Sequence, residues 1–476
     1  MKNVAFHNLG CKVNSYELDV VQQNFVKRGY KIVPFDQMAD IYVINTCTVT
    51  NIADRKSRQM IHRARKQNPF AIVVALGCYV QTGKEKDGLD ADIDIAIGNN
   101  KKKDTVKIVE EYLQKHHWAG TGYDAEYISA TSHGIEKEQM AETGQEASET
   151  LHGAKAACKT ERNILDIAHT CEYEEMTLEQ TMEHTRAYIK IQDGCNQFCS
   201  YCIIPFARGR VRSRSGEDIC KEIEGLAEKG CCEFVLTGIH ISSYGMDFKE
   251  KTSLLDLILQ IRKIEGVKRI RLGSLEPRIV TEEFAKTMGG IEEICPHFHL
   301  SLQSGCDETL KRMNRHYTAA EYKDGVDRLR KYFDAPAVTT DVIVGFPGET
   351  DEEFARTEAF LKETGFFEMH IFPYSAREGT VAAKMKGQVP GEIKKSRSRR
   401  LLELEKEQSV HYRRQFVGCE ETVLFEETKV IGGQPYQVGH TARYVKAAKK
   451  TNDDLAGRLV QGRITGMLNE EVLLME

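Results

Sequence analysis

Three cysteines in the first 78 residues each stand directly behind a segment with the apolar pattern of a β-strand. Cys11 follows VAFHNLG, Cys47 follows IYVINT and Cys78 follows AIVVALG, with helical periodicity in between. This alternation predicts a small parallel α/β sheet, whose strands end at one shared edge that binds ligands. We therefore expect these three thiols, hereafter the N-terminal triad, to converge. Gly10 and Gly77 would let the backbone turn tightly before two of them.

A second set of cysteines is compact and lies in the segment DGCNQFCSYC. Cys195, Cys199 and Cys202, hereafter the loop triad, have the spacing C-x3-C-x2-C immediately after a predicted strand. Three thiolates this close can bind one inorganic centre, and they leave one iron open if that centre is a [4Fe–4S] cubane. Zinc is the main alternative, although tetrahedral zinc normally pairs two C-x2-C hooks and no matching hook follows.

The N-terminal triad allows two interpretations. Buried cysteines are common as small hydrophobic residues of a core. Their identical placement at three strand ends instead favours a second [4Fe–4S] cluster, again with an open iron. The remaining eight of the fourteen cysteines show no pattern, and we assign them no role.

The cysteine count also bears on the cellular compartment. With 476 residues, 41% of them hydrophobic, the chain can build its cores without disulfide bonds. Its first residues, MKNVAFHNLG, lack the apolar segment of a secretory signal, and no apolar run reaches the length of about 18 residues that spans a membrane. We therefore expect a cytoplasmic chain with mostly reduced thiols and no membrane contact.

The net charge of −5 hides an uneven distribution. Residues 120–182 carry thirteen acids and four bases, so the rest of the chain has a net charge of +4. This acidic segment is poor in aliphatic residues, which predicts a partly disordered linker at 118–182. Basic residues are concentrated at 55–66, at 384–414 and in the segment ARGRVRSR. Each basic segment alone could be a solvated face, but three together favour a polyanionic partner.

A second series of alternating strands and helices follows the acidic segment. Six predicted strands indicate a partial (β/α)6 barrel and not a closed eightfold one. They lie at 187–192, 233–238, 268–274, 297–303, 337–345 and 368–373. After about residue 411 the sequence changes to short strands with turn signals, which predicts a small all-β barrel of a kind that often binds oligonucleotides. The predicted domains are 1–117, the linker at 118–182, 183–411 and 412–476.

Several motifs resemble those of one enzyme family. The segments DGCNQFCSYCIIPFARGR and TTDVIVGFPGET resemble radical S-adenosylmethionine (SAM) enzymes. Together with LGCKVNSYE, YVINTCTVTNIADRKSRQ and LGCYVQT, they make the chain similar to the methylthiotransferases among these enzymes. The resemblance covers nearly all of the chain outside the linker. It implies an α/β fold with an N-terminal parallel α/β cluster domain, a partial (β/α)6 radical SAM barrel and a C-terminal all-β TRAM barrel.

The resemblance also implies roles for individual residues. The loop triad would hold a [4Fe–4S] cluster whose open iron is chelated by SAM. The N-terminal triad would hold an auxiliary [4Fe–4S] cluster that handles the incoming sulfur. The other residues implied at the cofactor site are Tyr201, Ser274, Glu276, Gln303, Gly345, Pro347 and Gly348. Ser274, Glu276 and Gln303 sit at the ends of the third and fourth predicted barrel strands, where a barrel site lies but where polar residues also serve as plain caps.

Within the family, the motifs are most similar to the branch that transfers a methylthio group to C2 of N6-threonylcarbamoyladenosine at position 37 of tRNA. An aromatic C–H carbon of a purine is beyond general acid–base catalysis, which agrees with a radical cofactor. The implied partners are the tRNA anticodon loop and a flavodoxin- or ferredoxin-like electron donor, while the sulfur donor stays open. The chain is expected to be a monomer. In an extended backbone, four arginines would face the RNA on one side: Arg208, Arg210, Arg212 and Arg214.

Three alternative functions stay open at this point. The acceptor could be isopentenyladenosine in tRNA, or an aspartate of a ribosomal protein. The chain could also be a non-catalytic iron–sulfur protein that binds RNA.

Overall fold

The computed structural model describes residues 1–83, 89–116, 160–181 and 185–476. The chain forms two compact units. The first contains Met1–Glu179 and Ile203–Arg210, and the second contains Gln180–Cys202 and Val211–Glu476. Along the sequence, the chain therefore changes unit directly after Cys202 and again at Val211.

The first unit is built on a six-stranded parallel sheet. Its strands are β1 (Asn3–Asn8), β2 (Lys31–Val33), β3 (Ile41–Thr46), β4 (Ile72–Gly77), β5 (Ile95–Ile97) and β6 (Glu161–Asn163). They pair in the order β2-β1-β3-β4-β5-β6. Every residue of β3 and β4 is buried, as the unbroken runs IYVINT and IVVALG require when both faces of a parallel sheet are covered. The predicted N-terminal parallel α/β fold is confirmed.

The described residues of this unit form five helices. They are α1 (Lys12–Lys27), α2 (Asn51–Gln67), α3 (Cys78–Thr82), α4 (Thr105–Lys115) and α5 (Ile204–Arg208). α2 begins at Thr50, whose side chain accepts a hydrogen bond from the backbone N–H of Ala53. It buries Ile61 and Ala64 against the sheet and exposes most of its basic residues.

The structure corrects the predicted linker over residues 160–181. β6 pairs in parallel with β5, and Tyr16 Oη donates a hydrogen bond to the carbonyl oxygen of Met176. Residues 160–179 therefore belong to the first unit. The acidic composition gave no sign of this strand. A three-residue strand at a sheet edge is held mainly by backbone hydrogen bonds, so it does not require apolar side chains. The rest of the predicted linker lies outside the described residues.

The second unit contains six parallel strands in barrel order. They are β7 (Ala187–Asp193), β9 (Glu233–Gly238), β10 (Arg269–Leu272), β11 (His297–His299), β12 (Ala337–Val344) and β13 (Glu368–Pro373), while β8 (Arg212–Ser213) pairs antiparallel with β7. One sheet has the order β10-β9-β7-β8 and the other β11-β12-β13. Parallel bridges Ile270–Ile294 and Leu275–Leu300 join the two. The predicted partial barrel is thus confirmed.

Seven helices accompany the barrel strands. They are α6 (Gly216–Ala227), α7 (Leu254–Ile261), α8 (Glu282–Gly289), α9 (Asp307–Arg312), α10 (Ala319–Tyr332), α11 (Asp351–Thr364) and α12 (Gly391–Arg414). α10 and α11 both begin with a capping box, in which a threonine side chain and a glutamate three residues later satisfy each other's backbone N–H groups.

The C-terminal part of the second unit is a small closed β-barrel, as predicted. Its strands are β14 (Glu420–Ile431), β15 (Gln434–Thr441), β16 (Lys446–Lys449), β17 (Leu459–Met467) and β18 (Leu473–Met475). They close in the order β14-β15-β16-β18-β17 around a core that includes Val423, Phe425 and Ile464. Closure leaves no open sheet edge in this barrel. Among the described residues, no helix has the length and apolar character needed to cross a lipid bilayer.

Candidate functional site

The N-terminal triad lies at one edge of the first unit's sheet. Cys11 caps α1 directly after β1, Cys47 follows β3, and Cys78 opens α3 directly after β4. These strands are neighbours in the sheet, so the three cysteines share its carboxyl edge. Gly10 has φ of +113° and Gly77 has φ of +95°, conformations that glycine adopts without strain.

The thiols of the N-terminal triad influence one another. A Cβ added to Gly10 would lie 3.3 Å from Sγ of Cys47. Burial, helped by the neighbouring Cys78 and Cys11 thiols, raises the pKa of Cys47 to about 11, whereas Arg208 opposes the rise. Within the described part of the chain, no three cysteine sulfurs lie within 4.8 Å of one another, as three ligands of a single zinc ion would.

The loop triad follows β7, and the segment after α9 fixes its loop. Asn314 Nδ2 donates hydrogen bonds to the carbonyl oxygens of Gln197, over 3.3 Å, and Phe198, over 3.0 Å. The backbone N–H of Ser200 donates to the carbonyl oxygen of Met313 over 3.0 Å. The middle of the cysteine loop, between Cys195 and Cys202, is therefore held by one neighbouring segment.

Arg315 extends that segment to the cysteines themselves. Its Nη1 donates to Sγ of Cys199 over 3.2 Å, and its Nε donates to Oη of Tyr317 over 3.0 Å. Burial raises the pKa of the Cys195 thiol to about 11. A hydrogen bond donated by a charged guanidinium is stronger than a neutral one, so Arg315 fixes the position of this sulfur.

The glycine-rich loop after β12 is shaped by a carboxylate. Gly345 and Gly348 have φ of +69° and +79°. The side chain of Glu349 accepts hydrogen bonds from the backbone N–H groups of Gly345, over 2.9 Å, and Phe346, over 3.2 Å. Pro347 is buried within the loop. The ring of Tyr201, from the cysteine loop, packs edge-on against Phe346 with 6.3 Å between ring centroids.

The predicted strand-end residues lie at the carboxyl ends of the middle barrel strands. Ser274 is exposed, and Glu276 is buried and accepts a hydrogen bond from Nε of Arg278 over 2.8 Å. Gln303 has φ of +70°, and its backbone pairs with β12 through Asp341 and Ile343. A non-glycine residue rarely adopts this conformation, so the backbone pairing must hold it there.

A row of titratable side chains crosses the last three barrel strands. His299 of β11 bonds through Nε2 to a carboxylate oxygen of Asp341 on β12, 3.1 Å away. The ring of His370 on β13 stacks on His299 with centroids 5.7 Å apart. The ligand atoms of these three residues lie within 4.8 Å of one another.

Comparisons with known proteins now identify the family. Residues 189–361 match the family described as Radical SAM superfamily, and residues 3–98 match Uncharacterized protein family UPF0004. Threonylcarbamoyladenosine tRNA methylthiotransferase MtaB of Bacillus subtilis is 38% identical over 465 residues, which are 98% of this chain and 94% of that protein. The chain belongs to the tRNA methylthiotransferase family of radical SAM enzymes. The resemblance drawn from the motifs, and the enzyme class it implied, are confirmed.

Other members of the tRNA methylthiotransferase family are also similar over nearly their full length. MtaB of Aquifex aeolicus is 38% identical, with 90% of this chain and 94% of that protein covered. The tRNA-2-methylthio-N(6)-dimethylallyladenosine synthase of Carboxydothermus hydrogenoformans is 31% identical, with 96% and 95% covered. Among solved structures, the radical SAM methyltransferase TsrM of Kitasatospora setae matches with a TM-score of 0.52 and 14% identity, over 80% of this chain and 74% of that one. That last match shows a shared fold alone.

Membership of the Radical SAM superfamily implies a [4Fe–4S] cluster and SAM. The loop triad fits this group, because it offers three thiols on a loop fixed by backbone hydrogen bonds and a guanidinium that touches one sulfur. Three cysteine ligands leave one iron of a cubane open.

The structure corrects the prediction for three of the four arginines between residues 208 and 214. Arg208 ends α5, Arg212 is in β8, and both are fully buried, as is Arg214. Their guanidiniums pair with Glu17, Asp193 and Glu222 respectively. They are therefore not available to RNA phosphates, because all three are buried against acidic partners and Arg208 ends a helix that interrupts the predicted extended backbone. Arg210 alone of the four is exposed.

Sequence reasoning missed residues that surround both triads in this tRNA methylthiotransferase. In the unit of the loop triad these are Arg315, Tyr317 and Glu349. In the unit of the N-terminal triad they are Glu17, Lys102 and Asn99. The Nδ2 atom of Asn99 lies 3.5 Å from Sγ of Cys78. Glu17 and Glu349 lie within the quoted segments LGCKVNSYE and TTDVIVGFPGET, but nothing in those segments assigned them a role. The contacts of all six residues become visible only in the fold.

Proposed function

We propose that this chain transfers a methylthio group to C2 of N6-threonylcarbamoyladenosine at position 37 of tRNA. The observation that carries the proposal is the presence of two separate cysteine triads, each at the carboxyl ends of parallel strands in its own unit. The choice of substrate is supported by the relatives, since two proteins named for threonylcarbamoyladenosine are 38% identical, against 31% for one named for dimethylallyladenosine.

The proposal includes a second [4Fe–4S] cluster at the N-terminal triad. Three thiols on neighbouring strand ends would supply three iron ligands and leave the fourth iron open for sulfur. The glycines before two of the cysteines support this arrangement: a side chain at Gly10 would crowd Cys47, and one at Gly77 would crowd Asn45 and the backbone of Thr46. The two clusters would together require about eight irons per chain.

When bound, the loop-triad cluster and SAM supply a radical able to take hydrogen from an aromatic carbon, and SAM also supplies the methyl group. The chain's own residues orient these groups. Arg315 holds Cys199, and the loop of Gly345 and Gly348 allows a ligand close to the backbone. His299 and Asp341 offer donors and acceptors in the barrel for a polar nucleotide. We further propose that a flavodoxin- or ferredoxin-like protein supplies electrons and that the chain acts as a cytoplasmic monomer.

RNA binding is proposed for two surfaces. The first is the exposed face of α2, which carries five exposed basic residues and no exposed acid after its first turn: Arg55, Lys56, Arg58, Arg63 and Lys66. The second is the five-stranded C-terminal barrel, which we interpret as the TRAM module of the family. Lysine and arginine contacts to phosphates would make the affinity for tRNA fall as the salt concentration rises. The anticodon loop offers unpaired bases that can be splayed out and stacked on a protein surface.

A second candidate substrate is isopentenyladenosine, because the dimethylallyladenosine enzyme of C. hydrogenoformans aligns over 96% of the chain. Reconstituted, reduced enzyme should be incubated with SAM and with two tRNAs that carry either modification at position 37. We expect a methylthio product, measured by nucleoside mass spectrometry, on the threonylcarbamoyl tRNA alone. A product on the isopentenyl tRNA alone would reassign the substrate.

The same reaction tests the non-catalytic alternative. Enzyme with all three loop-triad cysteines replaced by alanine is the matched control, and it should yield no 5′-deoxyadenosine. If the unmodified chain also yields none, it is a binding protein and the proposed reaction is wrong.

A further inference from the structure

Two cations and one carboxylate are buried together in the first unit, beside the N-terminal triad. We call Glu17, Lys102 and Arg208 the charge trio. Each is at most 1% exposed. Lys102 Nζ lies 2.5 Å from one carboxylate oxygen of Glu17, and Arg208 Nη1 lies 2.6 Å from the other. The trio carries a net charge of +1.

The charge trio is tied to the residues that precede the cysteines. Arg208 Nη2 donates to Oδ1 of Asn14, and Asn14 Nδ2 donates to the carbonyl oxygens of Leu9, over 2.6 Å, and Thr46, over 3.2 Å. Leu9 stands two residues before Cys11, and Thr46 directly precedes Cys47. These bonds connect the guanidinium to two of the three cysteine turns.

Lys102 approaches the third cysteine turn. A Cβ added to Gly77, the residue before Cys78, would lie 3.2 Å from Nζ of Lys102. The same ammonium donates to Oδ1 of Asn45 over 3.0 Å, one residue before Thr46. Both cations of the trio thus lie against the edge of the sheet where the thiols converge.

Stability alone does not account for this arrangement. Taking three charges out of water is costly, and buried ion groups are often no more stabilising than apolar side chains packed in their place. An excess cation next to three thiolates has a distinct electrostatic effect, because a cluster gains one negative charge when it is reduced. Charges close to a cluster therefore shift its reduction potential, and the shift follows their sign.

We propose that the charge trio sets the reduction potential of the auxiliary cluster, by holding a net positive charge against the N-terminal triad. The inference rests on the second cluster of the proposed function. The net positive charge of the trio stabilises the one-electron reduced form of the auxiliary cluster. The midpoint potential of the cluster is therefore higher, and a weaker external reductant can reduce it.

The experiment uses the full-length chain with Cys195, Cys199 and Cys202 replaced by alanine, so that only the N-terminal triad can bind a cluster. After anaerobic reconstitution, the midpoint potential is measured by dithionite titration followed by electron paramagnetic resonance. Into this parent we introduce Arg208→Gln, Lys102→Gln and Glu17→Gln separately. Removing either cation should lower the midpoint potential, whereas removing the carboxylate should raise it.

Two further variants separate charge from structure. Arg208→Lys keeps the charge and should keep a potential near that of the parent. Arg65→Gln removes another buried arginine, which pairs with Asp94 near the amino ends of the strands. A six-residue strand such as β4, about 20 Å long, separates that pair from the edge that carries the cysteines. This variant should leave the potential unchanged even if it lowers stability.

The opposite signs make the inference falsifiable even if one variant folds poorly. Potentials that move in the same direction for Glu17→Gln and Lys102→Gln, or that do not move, would overturn it. If the parent itself retains no iron, the proposed auxiliary cluster is wrong, and the inference falls with it. Iron content close to four per chain with unchanged potentials would refute the inference alone.

Discussion

Arg315 donates a hydrogen bond from Nη1 to Sγ of Cys199 across 3.2 Å, and its guanidinium lies 4.8 Å from the ring centroid of Tyr317. The arginine and the cysteine are separated by 116 positions in the sequence. Its third contact is to the carbonyl oxygen of Ser301, over 3.3 Å. One side chain thus connects the cysteine loop to the end of a barrel strand.

We predict that Arg315→Gln weakens the loop-triad cluster. The substitution removes a hydrogen bond to a charged group, which is worth about 1.5–3 kcal/mol, or roughly tenfold or more in an equilibrium. Iron retention during gel filtration and the rate of 5′-deoxyadenosine formation should both fall, with Arg315→Lys intermediate. The exposed Arg356 offers a matched control. Wild-type iron content and turnover in Arg315→Gln would refute this role.

We predict that Gly10→Ala disrupts the N-terminal triad while leaving the loop triad intact. The new Cβ would lie 2.9 Å from Nδ2 of Asn14 and 3.1 Å from Cβ of Cys47, at a φ of +113° that costs alanine about 1–3 kcal/mol. Iron should fall by about half. Gly29→Ala imposes a similar strain at φ of +81° with nothing within 4 Å, and should keep all of its iron. Equal iron in both variants would contradict the prediction.

We predict that neutralising α2 weakens tRNA binding. Replacing Arg55, Lys56 and Arg63 with glutamine removes three exposed charges from one helix. The slope of log affinity against log salt should fall by about 0.7–0.9 for each lost phosphate contact. Filter binding of tRNA at several salt concentrations measures both quantities.

The control for the α2 variant removes three exposed lysines of the second unit. These are Lys221, Lys263 and Lys286. Affinity and salt slope should stay close to the wild-type values, so that a general loss of positive charge is excluded. If both triple variants weaken binding equally, α2 is not a specific RNA surface.

We predict a pH-dependent loss of stability at Glu233. Burial alone would raise its pKa, but the guanidiniums of Arg271, Arg186 and Arg269 hold the pKa at about 2. An unfolded glutamate titrates near 4.3, so this stabilisation is complete above that pH and is lost as the pH falls towards 2. Glu233→Gln should therefore destabilise the protein by about 3–5 kcal/mol at neutral pH.

The difference between wild type and Glu233→Gln should shrink as the pH is lowered from 5 to 3. Urea unfolding midpoints, followed by circular dichroism under anaerobic conditions, measure it. Glu217→Gln is the control, since Glu217 forms only an exposed pair with Lys221 and should unfold like the wild type at every pH. A difference that does not depend on pH would mean that Glu233 acts through packing and not through charge.

The sequence was informative wherever a local pattern determines the structure. Apolar runs such as IYVINT and IVVALG predict buried parallel strands, and such strands share a carboxyl edge, so the placement of Cys11, Cys47 and Cys78 could be anticipated before the structure. The partial barrel followed from the same alternation. In each case the information lies within a few residues.

Long-range pairing could not be predicted from the sequence. Arg208 seemed suited to RNA because its charge is visible in the sequence and its burial is not. Its partner Glu17 is 191 residues away, and the helix that ends at Arg208 belongs to the first unit, although the loop triad just before it belongs to the second. β6 was missed for a related reason, because its partner β5 supplies backbone hydrogen bonds that composition does not reveal.

The central claim is that this chain methylthiolates threonylcarbamoyladenosine with the help of both cysteine triads. Its most direct test is the tRNA nucleoside profile, by mass spectrometry, of a B. subtilis strain that lacks its own relative and expresses this chain. The wild-type chain should restore 2-methylthio-N6-threonylcarbamoyladenosine, and alanine variants of either triad should leave only N6-threonylcarbamoyladenosine. Absence of the methylthio nucleoside with the wild-type chain, or its formation by either triad variant, would contradict the claim.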